Sequence, residues 1–424
     1  YGGYGHAYTK TATMLYNLQY TLGDSLFLSA MRHYFDQWRM CHPYPEDMRQ
    51  SFIDHTRMDL NWFFDQWLDT GKRIDYAVAG VKRRYRNSGQ EIRLVRKGEL
   101  HMPIDLQVIA RDGTVHDLHI PNTWDVKRTT ATVLPRWIGF DDLQREYRAK
   151  VNIPSGIEQV IIDPTDRLAD AYKVNDRLVP PVSVSFDHHL WQRPDRRTYE
   201  AFVRPDLWWN GYDGAKLGVH LNSSYMKYKH RVHFTAWLNT GLGQHLPPYN
   251  AAADLDSIPG NTDTGFDALS VNFRYENGTE KLLRGSSVFV HARVLDGLQR
   301  YGAGWRWELP NGATVAQAEL LYFIRRDSTD LTYLLMPDQW DLDQLNGVVD
   351  LSLRHRYQYD RGTGNIKLEL RSSAVGSDAA YGQLRLTAIN INDLGPIQVR
   401  TRGFGQYGTG ATPRESALYL AGAQ

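Results

Sequence analysis

The sequence predicts an α+β multidomain protein in three blocks: a helical bundle over residues 1–76, a β-sandwich over 77–181, and over 182–424 an antiparallel region patterned like a membrane β-barrel, incomplete and with at least about ten strands. Three observations carry this reading. Apolar residues recur at spacings of three and four up to Tyr76, as on one face of a helix. Apolar and polar residues then alternate in short runs. From Val182 onward the alternating runs lengthen to about ten residues and gather aromatic side chains at their ends.

The chain opens YGGYGHAYTKTATML, a loop with three glycines and three tyrosines (Tyr1, Tyr4, Tyr8) that runs into a helical pattern from Tyr8 to Tyr20. A glycine-rich loop can bring backbone close to a ligand, and a tyrosine at its end offers a phenol donor. The same residues also suit a helix start whose aromatics pack into a core. LGDSLFLSAMRHYFDQW places Leu26, Phe27, Ala30, Met31, Tyr34, Phe35 and Trp38 at helical spacing, with Asp24 as its N-cap after Gly23. Pro45, Glu46 and Asp47 mark the first turn of the next helix, where acidic groups complement the dipole. MDLNWFFDQWLDTGK adds Leu60, Trp62, Phe63, Phe64, Trp67 and Leu68 and stops at Gly71, giving a bundle with an aromatic core.

In the second block EIRLVRKG and MPIDLQVIARDGTVHDLHI alternate as strands, the latter turning at Asp112-Gly113, and GIEQVIIDPTDRLAD ends a strand at Asp163-Pro164. In the third, VVDLSLRHRYQY puts Val349, Leu351, Leu353, His355, Tyr357 and Tyr359 on one face against Asp350, Ser352, Arg354, Arg356 and Gln358 on the other. NIKLELRS repeats the scheme with Ile366, Leu368 and Leu370 against Lys367, Glu369 and Arg371. Aromatics cluster at Trp208, Trp209 and Tyr212, at Tyr301, Trp305 and Trp307, and at Tyr357 and Tyr359. A soluble antiparallel sheet explains the alternation equally well; the serial long strands with aromatic ends favour the barrel. The last stretch, SALYLAGAQ, reads as the middle of a further strand, so the barrel is expected to be unfinished there.

Composition narrows the function. A formal net charge of +1 leaves no basic excess to neutralise phosphates, so no nucleic-acid partner is expected. The single cysteine, Cys41, excludes an internal disulfide framework and a cysteine-built zinc site. The missing Met leaves the presence of a leader undetermined, and the chain is expected to be an internal piece of a longer protein. No Walker loop, Rossmann fingerprint, HExxH helix or G-x-S-x-G elbow occurs. His188 and His189 are adjacent in a turn-like linker, where exposed histidines are the simpler reading than metal ligands. His233 and His291 fall on the polar face of their strands.

The stretches YTKTATMLYNLQYTLGDSLFLSAMRHYFDQW, DLNWFFDQWLDTG, MPIDLQV and VIIDPTDRLADAYKVND resemble the later part of an M1-family zinc aminopeptidase, the gluzincin fold, over about Tyr1 to Arg177. RPDLWWNGYDGAKLGVHL is similar to the first strands of a Bacteroidetes-type outer-membrane barrel. The resemblance implies a helical block that ends the catalytic domain, then the family's sandwich, fused to a barrel that meets outer-membrane lipid in a Gram-negative bacterium, with the peptidase part periplasmic. It implies hydrolysis of peptide substrates with Zn²⁺ held by two histidines and a glutamate upstream of this sequence, so that the chain by itself is inactive. One functional residue carries over. Tyr8, in YTK, matches the family's tyrosine whose hydroxyl donates to the oxyanion of the tetrahedral intermediate. Thr11 stands where the family usually has glycine. Two alternatives follow from the same residues: a pseudo-peptidase docking module on a barrel, and a barrel transporter with an M1-like accessory domain.

Overall fold

The computed structural model describes residues 5–83, 89–138, 144–188, 193–210, 214–243, 268–280, 282–295, 297–326 and 340–417. The chain divides into two units, Tyr1–Val182 with Arg196–Thr198, and Ser183–Asp195 with Tyr199–Gln424.

In the first unit a π-helical turn, Gly5–Lys10, leads without a break into α1 (Thr11–Leu22), so the helical path begins before Tyr8. It is followed by α2 (Asp24–Trp38), α3 (Pro45–Thr56) and α4 (Asn61–Leu68). Gly23, at φ 81°, closes α1 and takes the N-cap position of α2. Asp24 is therefore not a cap; its carboxylate pairs with Arg167 at 2.5 Å and accepts from Gln19 at 3.0 Å. The start of α3 is as its sequence requires, with Pro45 in the first turn and the Asp47 carboxylate accepting the Tyr44 N–H at 2.7 Å. Phe27, Phe52, Phe63, Phe64 and Trp67 are buried, and Phe52 and Phe64 meet edge to face. Phe35 is exposed although it shares the apolar spacing of α2.

Seven strands complete this unit: β1 (Tyr76–Arg83), β2 (Gln90–Arg96), β3 (Ile104–Ala110), β4 (Val115–Ile120), β5 (Thr132–Val133), β6 (Glu146–Val151) and β7 (Ile157–Ile162). They form one sheet in the order β1-β2-β6 and another in the order β5-β4-β3-β7. β3 and β4 pair antiparallel across the turn at Asp112-Gly113, where Gly113 supplies the positive φ the turn needs. Helices and both sheets share one core, in which Leu18, Phe52, Leu94, Ile104 and Val108 meet. The sequence boundary near residue 76 thus does not coincide with a boundary between cores.

The second unit is built on one twelve-stranded sheet. Its strands are β8 (Val182–Phe186), β9 (Tyr199–Asn210), β10 (Gly214–Tyr225), β11 (Lys229–Asn239), β12 (Leu269–Gly278), β13 (Ser286–Leu295), β14 (Leu298–Glu308), β15 (Thr314–Arg325), β16 (Asn346–Tyr359), β17 (Gly362–Ser373), β18 (Tyr381–Leu394) and β19 (Ile397–Gly410). Each lies beside its neighbour in sequence, and from β9 onward every pairing is antiparallel. The edges are β8 and β19, and among the described residues no pairing joins them. Beyond β19, Arg414–Ser416 forms a one-turn 3₁₀ helix at the start of the stretch whose pattern predicts a further strand, and residues 418–424 lie outside the described residues. Among the described residues no helix is long and apolar enough to cross a membrane.

Register sets the two faces of this sheet. Facing residues point the same way, so Ala318, Leu351, Leu370, Leu384 and Tyr407 form one row across five strands, and Leu353, Leu368 and Leu386 form the next. These rows are the exposed face: Leu351, Leu368 and Leu386 are 42%, 41% and 47% accessible. The opposite face carries the polar and charged residues together with a small buried apolar cluster of Leu321, Phe323, Val348 and Tyr381.

Candidate functional site

Tyr8 sits in the π-helical turn and is exposed. The turn is held to α1 partly by Thr13 Oγ1 donating to the Thr9 carbonyl at 2.9 Å. Tyr1 and Tyr4 lie outside the described residues, so the glycine-rich loop around Tyr8 is described only from Gly5. Among the described residues no group of three or more His, Cys, Asp or Glu side chains is arranged to hold a metal ion. The family resemblance places the zinc ligands upstream of this sequence, so the described residues do not bear on them. His188 is exposed, and His189 lies outside the described residues. Tyr212 also falls outside them.

Two arrangements that the spacing of residues did not reveal come from the fold. On the helices, Ser29 Oγ lies 2.7 Å from His55 Nε2, and the His33 ring stacks on His55 at 4.8 Å. Among the described residues no carboxylate is bonded to His55 to orient it, so the pair ties α2 to α3 and does not make a triad.

The second arrangement follows β7. Asp163, at φ 48°, leaves the strand and turns its carboxylate inward, where it accepts the Leu168 N–H at 2.7 Å and the Thr165 hydroxyl at 3.0 Å. The Lys173 ammonium lies 3.0 Å from Asp163 and 2.8 Å from Asp166. Arg196 and Arg197 close on Asp166 from outside, at 3.0 and 2.8 Å. Burial disfavours the Asp166 charge, yet Lys173, Arg197 and Arg196 overcome it and hold the carboxyl down at about 2. Burial likewise disfavours the Lys173 ammonium, and Asp163 with Asp166 more than restores it, so its pKa lies above the usual lysine value. Nearby, Asp170 accepts the Tyr76 N–H at 2.8 Å and the Tyr172 N–H at 2.7 Å. Burial, with the charge of Asp75 adding to it, pushes Asp170 up to about 7. Asp176 is also raised, by burial first and then by Asp170. This network of ion pairs clamps the chain after β7.

The polar face of the large sheet is the third place where functional groups converge. Glu276 takes both Arg231 and Arg274, the latter at 3.1 Å, and accepts the Ser287 hydroxyl at 3.0 Å. Glu319 takes His291 at 2.6 Å and the Gln317 amide at 3.2 Å. Gly302 faces this pair, and a Cβ there would collide with both the imidazole and the carboxylate. Asp350 is gripped by Arg371 through Nε at 3.0 Å and Nη2 at 2.8 Å. His233 bonds Asn222, so both histidines singled out in the sequence are placed on this face as partners of its polar network.

No family model matches the chain, and no curated protein matches it. What the geometry itself defines is two units, one of helices and sheets with ordinary burial and one built on a large antiparallel sheet that exposes its apolar face.

Proposed function

We propose that the twelve-stranded sheet is the membrane-embedded part of an outer-membrane-type β-barrel, and that the first unit is the later part of an M1-like zinc metallopeptidase which the barrel anchors. The observation that carries the membrane half is the reversed burial of the sheet: rows of leucine and valine are exposed across adjoining strands, while the other face carries polar pairs such as Arg231 with Glu276, His291 with Glu319 and Arg371 with Asp350. A sheet in water buries the first kind of face, and one in lipid exposes it. Aromatic pairs at strand ends, Trp305 with Trp307 and Tyr357 with Tyr359, support the same placement.

The peptidase half rests on the resemblance over Tyr1 to Arg177. In it, peptide substrate is hydrolysed with zinc held by ligands outside this sequence. The group that this chain contributes is Tyr8, whose phenol would donate to the oxyanion. In the intact protein Tyr8→Phe is expected to lower kcat by about 10²- to 10³-fold, as for loss of one oxyanion donor. Unchanged turnover would remove Tyr8 from the chemistry.

The membrane reading is tested by cysteine accessibility in a Cys41→Ser background, since Cys41 is the one native cysteine and is exposed. Leu368→Cys and Lys367→Cys place a thiol on opposite faces of β17. In liposomes a water-soluble maleimide should label Lys367→Cys and leave Leu368→Cys unmodified. Equal labelling of both would overturn lipid contact.

A further inference from the structure

The charges on the polar face of the large sheet are not evenly matched. On β11 to β15 arginines come with carboxylates: Arg231 and Arg274 with Glu276, and Arg300 with Glu319, which also bonds the His291 imidazole. On β16 to β19 a trough of about 440 Å³ is lined by Arg354, Arg356, Lys367, Arg385 and Arg402, and by a single carboxylate, Glu369. Lys367 occupies that carboxylate at 2.6 Å. Arg385 donates to the neutral Gln406 amide oxygen at 2.9 Å. The Arg402 guanidinium lies over the Phe404 ring at 5.9 Å. Like charges brought onto neighbouring strands repel one another, so this grouping works against the fold unless something negative joins it.

Register fixes the spacing of the cations. Arg356 faces Asn365, which faces Ile389, which faces Arg402, so two arginines stand at the ends of one row across four strands. Their backbones are roughly 14 Å apart at the usual strand separation. In the adjacent row Arg354 faces Lys367. A molecule bearing several anionic groups engages more of the four trough arginines than one small anion does, and guanidinium forks match the oxygens of phosphate-type groups in pairs. The volume suits a small molecule, and Ile389 and Phe404 give it an apolar wall.

We propose that this trough binds a small soluble molecule carrying two or more phosphate-type oxyanions. The inference does not rest on the membrane reading, because the trough belongs to one face of the sheet whatever medium meets the other face. A lipid headgroup is the less suited source, since the acyl-compatible residues Leu368 and Leu370 point away from the trough.

The test is calorimetric titration of the full chain, in zwitterionic detergent or in buffer, with sodium tripolyphosphate and separately with inorganic phosphate at low salt. Tripolyphosphate should saturate at one per chain and bind at least tenfold tighter than phosphate. Arg354→Ala, Arg356→Ala and Arg402→Ala should each weaken it about tenfold, and Arg356→Lys by less, because it keeps the charge and loses the fork. Arg306→Ala removes the same charge from the same sheet outside the trough, and should change affinity less than twofold. Three results would overturn the proposal: Arg306→Ala weakening binding as much as the trough variants, none of the trough variants weakening it, or competition by phosphatidylglycerol added to the micelles, which would assign the site to a headgroup. Circular dichroism of each variant separates lost binding from lost fold, and the thiol-labelling result on Leu368→Cys stands or falls independently.

Discussion

In β3, Ile104, Leu106, Val108 and Ala110 are buried almost completely, and the residues between them are half-exposed. In β17, Ile366, Leu368 and Leu370 are each more than two-fifths accessible, and Lys367 and Glu369 between them are the more sheltered. The two strands have the same alternating pattern in sequence. What separates them is what covers the apolar side: a core shared with four helices for β3, whereas the apolar side of β17 is exposed among the described residues. Alternation therefore specifies that a strand has two unlike faces and leaves open which of them meets protein. The first unit has the helices needed to cover its sheets. The second, among the described residues, has strands and one 3₁₀ turn, held by ladder hydrogen bonds, by ion pairs on the polar face and by the small cluster of Leu321, Phe323, Val348 and Tyr381.

The comparison is most sharply tested where the first unit obeys the rules of a protein interior. Asp163 has a side chain with no accessible surface, and Lys173 is its ionic partner. Lys173→Met keeps the volume and removes the charge, leaving Asp163 and Asp166 to share what Arg196 and Arg197 supply from outside. A buried pair broken on one side costs about 3–5 kcal/mol. Chemical denaturation followed at Trp137, which is buried in this unit, should show the loss. A change under about 1 kcal/mol would mean that the clamp after β7 is solvated and that its contrast with the ion-paired sheet face is small.

A smaller effect is expected on the other side of the comparison. Leu368→Arg puts a charge on the exposed row between Leu353 and Leu386. Under the proposed membrane placement it should cost about 2–4 kcal/mol in a bilayer if Leu368 lies near the midplane. In water an exposed leucine replaced by arginine shifts stability by no more than about 0.5 kcal/mol. Folding equilibria of the full chain measured in liposomes separate the two, and a near-zero cost in lipid would break the inside-out reading of the sheet.

Much of this was legible in the residues. The run from Val349 to Tyr359 announced both faces of β16, Asp112-Gly113 fixed the β3–β4 hairpin, and Pro45 with Asp47 fixed the start of α3. These features are local, set by side chains a few positions apart. The Asp163–Lys173 clamp was not legible, because its geometry depends on the left-handed turn at Asp163 and on arginines about thirty residues downstream. The trough was not legible either. Arg356 and Arg402 become ends of one row only through three successive strand registers, although the doublets Arg354/Arg356 and Arg400/Arg402, two residues apart on one face, were a usable signal. For Tyr8, sequence supplied a role by resemblance and the structure supplies a position, an exposed residue in a π-helical turn.

The smallest effect concerns pH and belongs to the first unit. Asp170 stands at about 7 in the folded protein, against about 3.8 for the ordinary carboxyl. Burial is the main cause, the neighbouring Asp75 adds to it, and Lys173 opposes it. The folded state thus holds a proton that the unfolded chain releases between those two values. Its stabilising contribution is full below pH ~4 and is lost as pH rises through ~7. Asp170→Asn cannot ionise and leaves one of the two N–H groups, of Tyr76 or Tyr172, facing an amide NH₂ in place of an oxygen. That lost bond costs about 1–3 kcal/mol at any pH. The variant's deficit in melting temperature should accordingly be largest at pH 5 and shrink toward pH 8, where the wild-type carboxylate bears its buried charge beside Asp75 and Asp176. Melts of both proteins across that range decide it. A deficit that does not change between pH 5 and pH 8 would show that Asp170 titrates as an exposed carboxylate does, and that the first unit is wetter at this point than its burial indicates.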